Sequence, residues 1–511
     1  MTLALPLIWS SRKVLTVSHP GGVTRIISKP IIIIAFVVSL AWFSALTSCE
    51  VNQGGGDGDD NRYRYILDGW EDIIIPPSGT ADAWITIRGG DTGGYSPSGN
   101  TYYVAPNGSD DHPGSPSEPW VTPAYGASRL QPGDMLVILG NKPGEVPILA
   151  GRDDLSCALD ISGVSYLRLE NLEICSDGGA WFREGIQADG GPLSHIVLQD
   201  LYIHNVDEMG IDIADADDME IVNCRICYCG FGSIGGPEGA QGGWRNVLID
   251  GCTLSYSGHY YRGEDQLGPY DRPDGFGIEP SFGPIEIKNT LSEHNRGDGL
   301  DSKADNTYIH ECIMANNSCD GVKLWGGGSK VENCLIYGRG DGDTTTTPWS
   351  AVVIGTEENG ASFELVNNTI DDFVGNNYIM HVQYDTPTIP IDLTIKNTIF
   401  CSRGENAAIY LAEGVNFSIN YNLFYFPNSE YVLIDDDQAF YDYSRVGELG
   451  AGNLYGDPRF VSPAFGEVGD YHLLEDSPAI DAGTPDGAPP RDLDGISRPR
   501  GEGYDIGAYE R

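Results

Sequence analysis

Three stretches of this chain, PDGFGIEP (Pro273–Pro280), GDGLDSK (Gly297–Lys303) and CDGVKLW (Cys319–Trp325), each join an Asp-Gly pair to an alternating apolar and polar run. Stacked one above another, they put Asp274, Asp298 and Asp320 in one column and set Asp301 beside Lys323 in a second. Carboxylates held this close repel unless a cation or a lysine neutralises them. Flexible all-oxygen ligation suits a hard cation such as calcium, with Asp274, Asp298 and Asp301 as ligands. A structural account stands beside this one. Asp301–Lys323 and Glu279–Lys303 read equally as cross-strand charge pairs, worth roughly 0.2–1 kcal/mol each, and Asp-Gly is a common turn dipeptide.

The elements that would position these residues come from a repeat. EIVNCRI (Glu220–Ile226), LIDGCTL (Leu248–Leu254), EIKNTL (Glu286–Leu291), YIHECIM (Tyr308–Met314), KVENCLI (Lys330–Ile336), LVNNTI (Leu365–Ile370) and TIKNTI (Thr394–Ile399) share one pattern. Its reference positions are Leu172, Leu201, Cys224, Cys252, Thr290, Cys312, Cys334, Thr369 and Thr398, and the shortest interval, from Thr290 to Cys312, is 22 residues. That is one coil of three short strands and their turns, and longer intervals are loop insertions. Helical periodicity is absent and Gly/Asn/Asp turns are dense. The fold expected is all-β, a right-handed parallel β-helix over residues 151–430. Residues 101–150 form an N-terminal cap and first coil, and residues 431–511 a C-terminal cap or extension that leaves the repeat from about 453. Capping is needed because a solenoid end exposes core and strand edge.

The repeat also explains the cysteines. Cys224, Cys252, Cys312 and Cys334 share a rung position, which predicts a buried ladder, and Cys175, Cys227 and Cys401 share another three residues on. The run Cys224–Cys229 lacks a second cysteine pair at zinc-site spacing. Asn223, Asn289, Asn333, Asn368 and Asn397 predict a turn ladder, since asparagine tolerates left-handed backbone.

Alternation also sorts the site residues. Phe276, Ile278, Leu300, Val322 and Leu324 point inward, which leaves Gly277, Glu279, Asp301, Lys303, Lys323 and Trp325 outward. Asp212 falls on the same face further up. Trp325 offers a ring for sugar stacking or a cover for the sheet. An insertion carrying His259, Tyr260, Tyr261, Arg262, Tyr270 and Arg272 precedes Asp274 and suggests a saccharide wall.

Net charge is −44, with 74 acidic against 30 basic residues, which argues against nucleic acid. Near the start, Arg25 and Lys29 precede an apolar run from Ile31 to Leu46, which is shorter than the roughly 20 residues of a spanning helix. Leu46-Thr47-Ser48-Cys49 resembles the lipobox of bacterial lipoproteins. The resemblance implies an exported chain with residues 1–48 as signal peptide, lipidation at Cys49 and attachment to a membrane or cell surface. Residues 49–100 then form a tether, from its Gly/Asp run, and a segment without an assigned role. A monomer is the expected state.

YVAPNGS (Tyr103–Ser109), PGD (Pro132–Asp134), DGF, GDGLD and GVKLWGG (Gly321–Gly327) together resemble the family 9 polysaccharide lyases, right-handed parallel β-helices that include pectate lyases. The resemblance spans roughly residues 101–400. It implies calcium held by Asp274, Asp298 and Asp301, Lys323 as catalytic base, and an acidic, uronate-containing polysaccharide as substrate. Trp325, Lys303 and Arg272 become candidates for binding it. Gly297 departs from the family, which has the first Asp of its Asp-Asp pair there, and Asp320 is the candidate replacement ligand. Two other functions stay open: a glycoside hydrolase working through Asp298 and Asp301, and a non-catalytic surface β-helix that binds glycan or coats the cell.

Overall fold

The computed structural model describes residues 62–511 except 69–72, 77–83, 91–97, 192, 341–349, 373–377, 406 and 437–438. Cys49, the apolar run before it and the Gly/Asp tether lie outside the described residues. Among the described residues, three sheets of 13 strands each wind around one another. From Ile148 to Asp435 the chain visits them in rotation, and strands pair in parallel with those one coil earlier and later; Leu433–Asp435 also pairs antiparallel with Ala439–Tyr441. One coil runs Ile285–Lys288 in the third sheet, Leu291–Glu293 in the first and Leu300–Ala304 in the second. The next runs Thr307–His310, Ile313–Ala315 and Val322–Leu324 in the same order. This is the parallel β-helix that the repeat predicts.

Alternation accounts for the core. Ile285, Ile287, Leu300, Val322 and Leu324 are all fully buried in the interior of the coil. Each turn from the third sheet to the first is built by two residues. The first takes left-handed backbone, most often as an asparagine, as at Asn289 (φ 49°) and Asn333 (φ 56°), with Gly251 and Glu311 in that place before Cys252 and Cys312. The next residue turns inward, and Cys224, Cys252, Cys312 and Cys334 lie buried there as free thiols. The Cys312 thiol donates to the Ile287 carbonyl one coil back at 3.4 Å, so each cysteine ties adjacent coils.

The repeat register needs one correction. Leu335 pairs with Thr369, so Asn368, not Thr369, stands in the Cys334 position, and Asn367 takes the left-handed place given to Asn368. Two adjacent asparagines allow either reading on paper. The buried one wins because its Oδ1 accepts from the Cys334 N–H at 3.0 Å while its amide donates to the Val331 carbonyl at 2.9 Å. Cys175 and Cys401 also differ from a core ladder. They sit on the outer face of the first sheet, and Cys401 is covered there by the C-terminal segment.

Residues without a role on sequence grounds supply the first coil: Arg64–Asp68, Ile73–Ile74 and Ile85–Gly89 each join one of the three sheets. The chain then passes through Thr101–Val104, the short helix Pro123–Ala127 and Met135–Ile138, which extend the third sheet outward past that coil. At the other end the C-terminal segment turns back along the first sheet. The asparagine ladder is its docking rail: Asn333 donates to the Arg491 carbonyl, Asn367 to that of Gly507 and Asn397 to that of Thr484. A buried Arg498–Glu510 pair at 3.0 Å closes the contact.

Candidate functional site

The corner between the first and second sheets carries the acidic column. In successive coils it is formed by residues up to Gly275, by residues 294–299 and by residues 316–321. Its buried side is held by stacked amides, with Ser257 N–H donating to Asn295 Oδ1 at 3.0 Å and Asn295 N–H donating to Asn317 Oδ1 at 3.1 Å. Asp298 and Asp320 follow these asparagines by three residues, so the buried amides fix the height of each carboxylate. Asn295 and Asn317 were not singled out from the sequence, where they read as ordinary turn residues.

The column forms as expected. Asp274 Oδ1 accepts from the Asp298 N–H at 2.6 Å, Asp298 Oδ1 from the Asp320 N–H at 2.9 Å, and Asp320 Oδ1 from the Ser350 N–H at 2.7 Å. Each carboxylate therefore spends one oxygen on the next coil and leaves the other. In the adjacent row the register is Gly277, Asp301, Lys323, Val353, His381 and Tyr410. Lys323 Nζ donates to Asp301 Oδ2 at 2.9 Å and to Asp298 Oδ2 at 3.3 Å. Asp274, Asp298 and Asp301 each offer an oxygen within 4.8 Å of the others. Asp320 stands one coil beyond and is outside that group.

The electrostatics follow from crowding. Burial, then Asp298 and Asp301, push the Asp274 carboxyl well above its usual range. Burial and Asp298 do the same for Asp320, and burial raises Asp301 despite the partial offset from Lys323. Burial works against the charge on Lys323, but Asp301 and Asp298 outweigh it and hold the ammonium above its ordinary value. Asp301 Oδ1 is buried with no hydrogen-bond partner. An orphaned carboxylate oxygen, surplus negative charge and an all-oxygen donor set fit a hard cation. Gly297 cannot carry the extra aspartate of the lyase pattern on this backbone, because a Cβ there would lie 2.2 Å from Asp274 Oδ1 and 2.6 Å from the Arg272 carbonyl oxygen.

The binding candidates are less concentrated. Trp325 lies against Gly355, with Lys323 Nζ 5.9 Å from its ring centroid, and its buried indole N–H has no partner. Lys303 pairs with Glu279 at 2.7 Å and lies 3.9 Å from Asp301. The Arg272 guanidinium is directed to Asp271, at 3.8 Å. The insertion before Asp274 is partly anchor: Tyr260 is buried with its hydroxyl 2.8 Å from Ser176 Oγ, and Asp207 accepts from the N–H groups of Arg262 and Gly263. Two coils beyond Lys323, His381 is buried, which lowers its imidazole to about 4, and it stacks on Tyr384 at 5.6 Å.

A second acidic group on the same face was legible only as Asp212. Glu184 and Met209 precede Gly232 and Asp274 in the corner column, and Asp212 precedes Gly235 and Gly277 in the row. Glu208 is gripped by Arg183 through two hydrogen bonds, 2.8 and 2.6 Å long. Burial, then Asp212 and Glu208, push Glu184 up to about 9, and burial and Asp189 raise Asp212 to about 6. Elsewhere, Glu173, Cys175 and His204 converge on the first sheet, but Arg62 already binds Glu173 there. A concavity of about 570 Å³ on the third sheet, lined by Trp84, His195, Asp218, Glu286 and Tyr308 among others, is on another face from Lys323.

Comparison with known proteins supports the architecture. A model described as a right handed beta helix region matches residues 157–340. No curated protein matches the chain. Among solved structures, the complex of XylC with xylose superposes with a TM-score of 0.53 at 11% identity, covering 80% of this chain and 99% of that one. Pectate lyase Pel9A gives 0.49 at 15% identity, covering 82% and 98%. A rhamnogalacturonan lyase gives 0.41 at 15%, covering 74% and 97%. The family model and the XylC likeness show the fold, a right-handed parallel β-helix, and the chemistry rests on the site itself.

Proposed function

We propose that the protein is a polysaccharide lyase that cleaves an acidic, uronate-containing polysaccharide by β-elimination, with Lys323 as the base. The observation that carries this reading is Lys323 Nζ, held 2.9 Å from Asp301 and 3.3 Å from Asp298 on the outer face of the second sheet, beside three converging carboxylates. Asp274, Asp298 and Asp301 would hold a calcium ion. When bound, it supplies the positive charge that neutralises a uronate carboxylate and acidifies the proton at C5.

The remaining work falls to the chain. Lys323 Nζ takes the C5 proton, the C4–O4 bond breaks, a C4–C5 double bond forms, and the departing oxygen leaves with the electron pair and is protonated by water. A lysine acts as base only in its neutral form. Asp301 and Asp298 therefore hold Nζ in place but oppose its neutral state while they remain its only counter-charges. Trp325, with its ring centroid 5.9 Å from Lys323 Nζ, stands beside the base on the same face. On the sequence side, the proposal includes export and attachment through a lipidated Cys49.

The test is ultraviolet absorbance of unsaturated product from polygalacturonate at alkaline pH, with calcium or with chelator, beside Lys323→Ala. Calcium-dependent absorbance should appear and fall by about 10²–10⁴-fold in the variant. New reducing ends without absorbance would replace this reading with a hydrolase. One observation favours that alternative: Glu184 and Glu208 lie on the same face, one pushed up and the other held down by Arg183, as an acid and its ionised partner would be. Binding without any turnover would leave a glycan-binding surface protein.

A further inference from the structure

The second sheet carries an exposed aromatic and arginine strip that the chemistry at Lys323 does not use. Trp181 and Phe231 sit at the corner that carries Asp274 lower down, and they stay 39% and 43% exposed. Phe231 belongs to the coil next to Asp274, and Trp181 lies two coils further toward the N-terminus. Tyr270 stacks on Phe231 at 5.0 Å, and Tyr261 meets Tyr270 edge-on at 6.0 Å. The Arg262 guanidinium lies 5.4 Å from the Trp181 ring centroid and 5.3 Å from that of Tyr261.

Three features separate this strip from incidental surface. It is rigidly anchored, since Tyr260 is buried against Ser176 and Asp207 grips the backbone at Arg262 and Gly263. Arg262 is exposed and, among the described residues, has no carboxylate within ion-pair distance, in a chain with 74 acidic residues to 30 basic. Finally, the strip is continuous with the candidate site. The outer row between them is Gly235 and then Gly277, which leads to Asp301 and Lys323. A Cβ at Gly277 would meet only Asp274, so this rung is a bare backbone floor. Rungs lie about 4.8 Å apart, so a linear glycan lying along the solenoid axis reaches the strip within a few sugar rings of Lys323.

We infer that Trp181, Phe231, Tyr261, Tyr270 and Arg262 form a substrate subsite on the N-terminal side of Lys323. The aromatic faces stack on pyranose rings and Arg262 grips a uronate carboxylate. This rests on the lyase reading for the identity of its occupant, an acidic polysaccharide. It gives a strongly acidic protein a cationic contact for an anionic polymer away from the reacting bond.

Phe231→Ala and Arg262→Gln, made separately in the full chain, test the inference. Affinity for polygalacturonate is measured by calorimetry and by retardation in polymer-containing gels, alongside KM and kcat. Each variant should weaken binding and raise KM by about fivefold to tenfold, with kcat within about twofold of the wild type. Wild-type binding that neither variant changes would overturn the subsite and leave the lyase reading intact. Binding without turnover, lost in Phe231→Ala, would support the subsite and sink the lyase. Tighter binding of neutral xylan, indifferent to Arg262→Gln, would overturn the acidic occupant. No wild-type binding to polygalacturonate or alginate would overturn both.

Discussion

Two clusters on one face of the solenoid use the same backbone positions for different ends. Glu184, Met209, Asp212 and Gly235 stand in the same relation to one another as Asp274, Asp298, Asp301 and Lys323, three coils apart. Two positions separate them chemically. Where the lower cluster has Asp298, the upper has Met209, whose Cε would lie 2.2 Å from a Cβ on Gly235. Where the lower has Lys323, the upper has Gly235 itself. The upper cluster thus keeps two carboxylates, loses the third and the cation, and settles its charge by protonating Glu184 and pairing Glu208 with Arg183. The lower keeps three carboxylates and relies on Lys323. Equivalent backbone positions therefore do not by themselves offer a cation three converging carboxylates: Asp298, where the upper cluster has Met209, and the orphaned Oδ1 of Asp301 set the lower cluster apart.

The largest effect should come from removing each cluster's own cation. Lys323 is largely buried, with 14% of its side chain exposed, and its loss leaves Asp298 and Asp301 uncompensated. Lys323→Met should destabilise the fold in chelator by about 3 kcal/mol, and calcium should restore most of that. Arg183 is 51% exposed, so Arg183→Met should cost under about 1 kcal/mol and show no calcium rescue. Denaturant melts of the two variants, with and without calcium, check both. Equal costs, or rescue of the Arg183 variant, would erase the distinction between the clusters.

A second measurement asks which cluster takes the ion in the unaltered arrangement. Calcium at about 100 times its dissociation constant should stabilise the wild type by about 2.7 kcal/mol. The shift should vanish in Asp301→Asn, which removes the orphaned oxygen's charge, and persist in Glu184→Gln. A shift lost in Glu184→Gln instead would move the ion to the upper cluster.

The lower cluster was legible because its coils are uniform. Thr290 to Cys312 and Cys312 to Cys334 are both minimal coils, so counting residues forward from the reference position reaches Asp298, Asp320, Asp301 and Lys323 in register. Where spacing varies, counting fails for physical reasons. At Asn367-Asn368 two candidates for the left-handed turn adjoin, and only the buried amide bonds to Val331 and Cys334 decide between them. Glu184 was invisible because it lies 12 residues after Leu172, where Met209 lies 8 after Leu201, so extra residues at its own corner hide its register, and because Met209 and Gly235 interrupt the acidic pattern. Nor does a sequence pattern disclose that Asp274 fills the space a side chain on Gly297 would need. The asparagine ladder was visible as turns, but its second use as a rail for the C-terminal segment depends on residues some 140 positions away.

The smallest expected effect is also the sharpest probe of the upper cluster, because it isolates one proton. Glu184 titrates near 9 in the fold against an ordinary 4.5, and Asp212 near 6 against 3.8. Both values are raised, so the folded state binds these protons more tightly than the unfolded chain. Their contribution to stability is complete below about pH 4 and is lost as pH rises through 6 and on toward 9. Glutamine at 184 keeps the shape and the acceptor for the Met209 N–H but cannot ionise. Glu184→Gln should therefore match the wild type at pH 5 and exceed its melting temperature by at least about 2 °C at pH 9, with calcium present throughout to quiet the lower cluster. A difference between the two proteins that does not change with pH would mean that Glu184 is already ionised in the fold. The upper cluster would then need a cation of its own, and the contrast with Asp274, Asp298 and Asp301 would fail at its root.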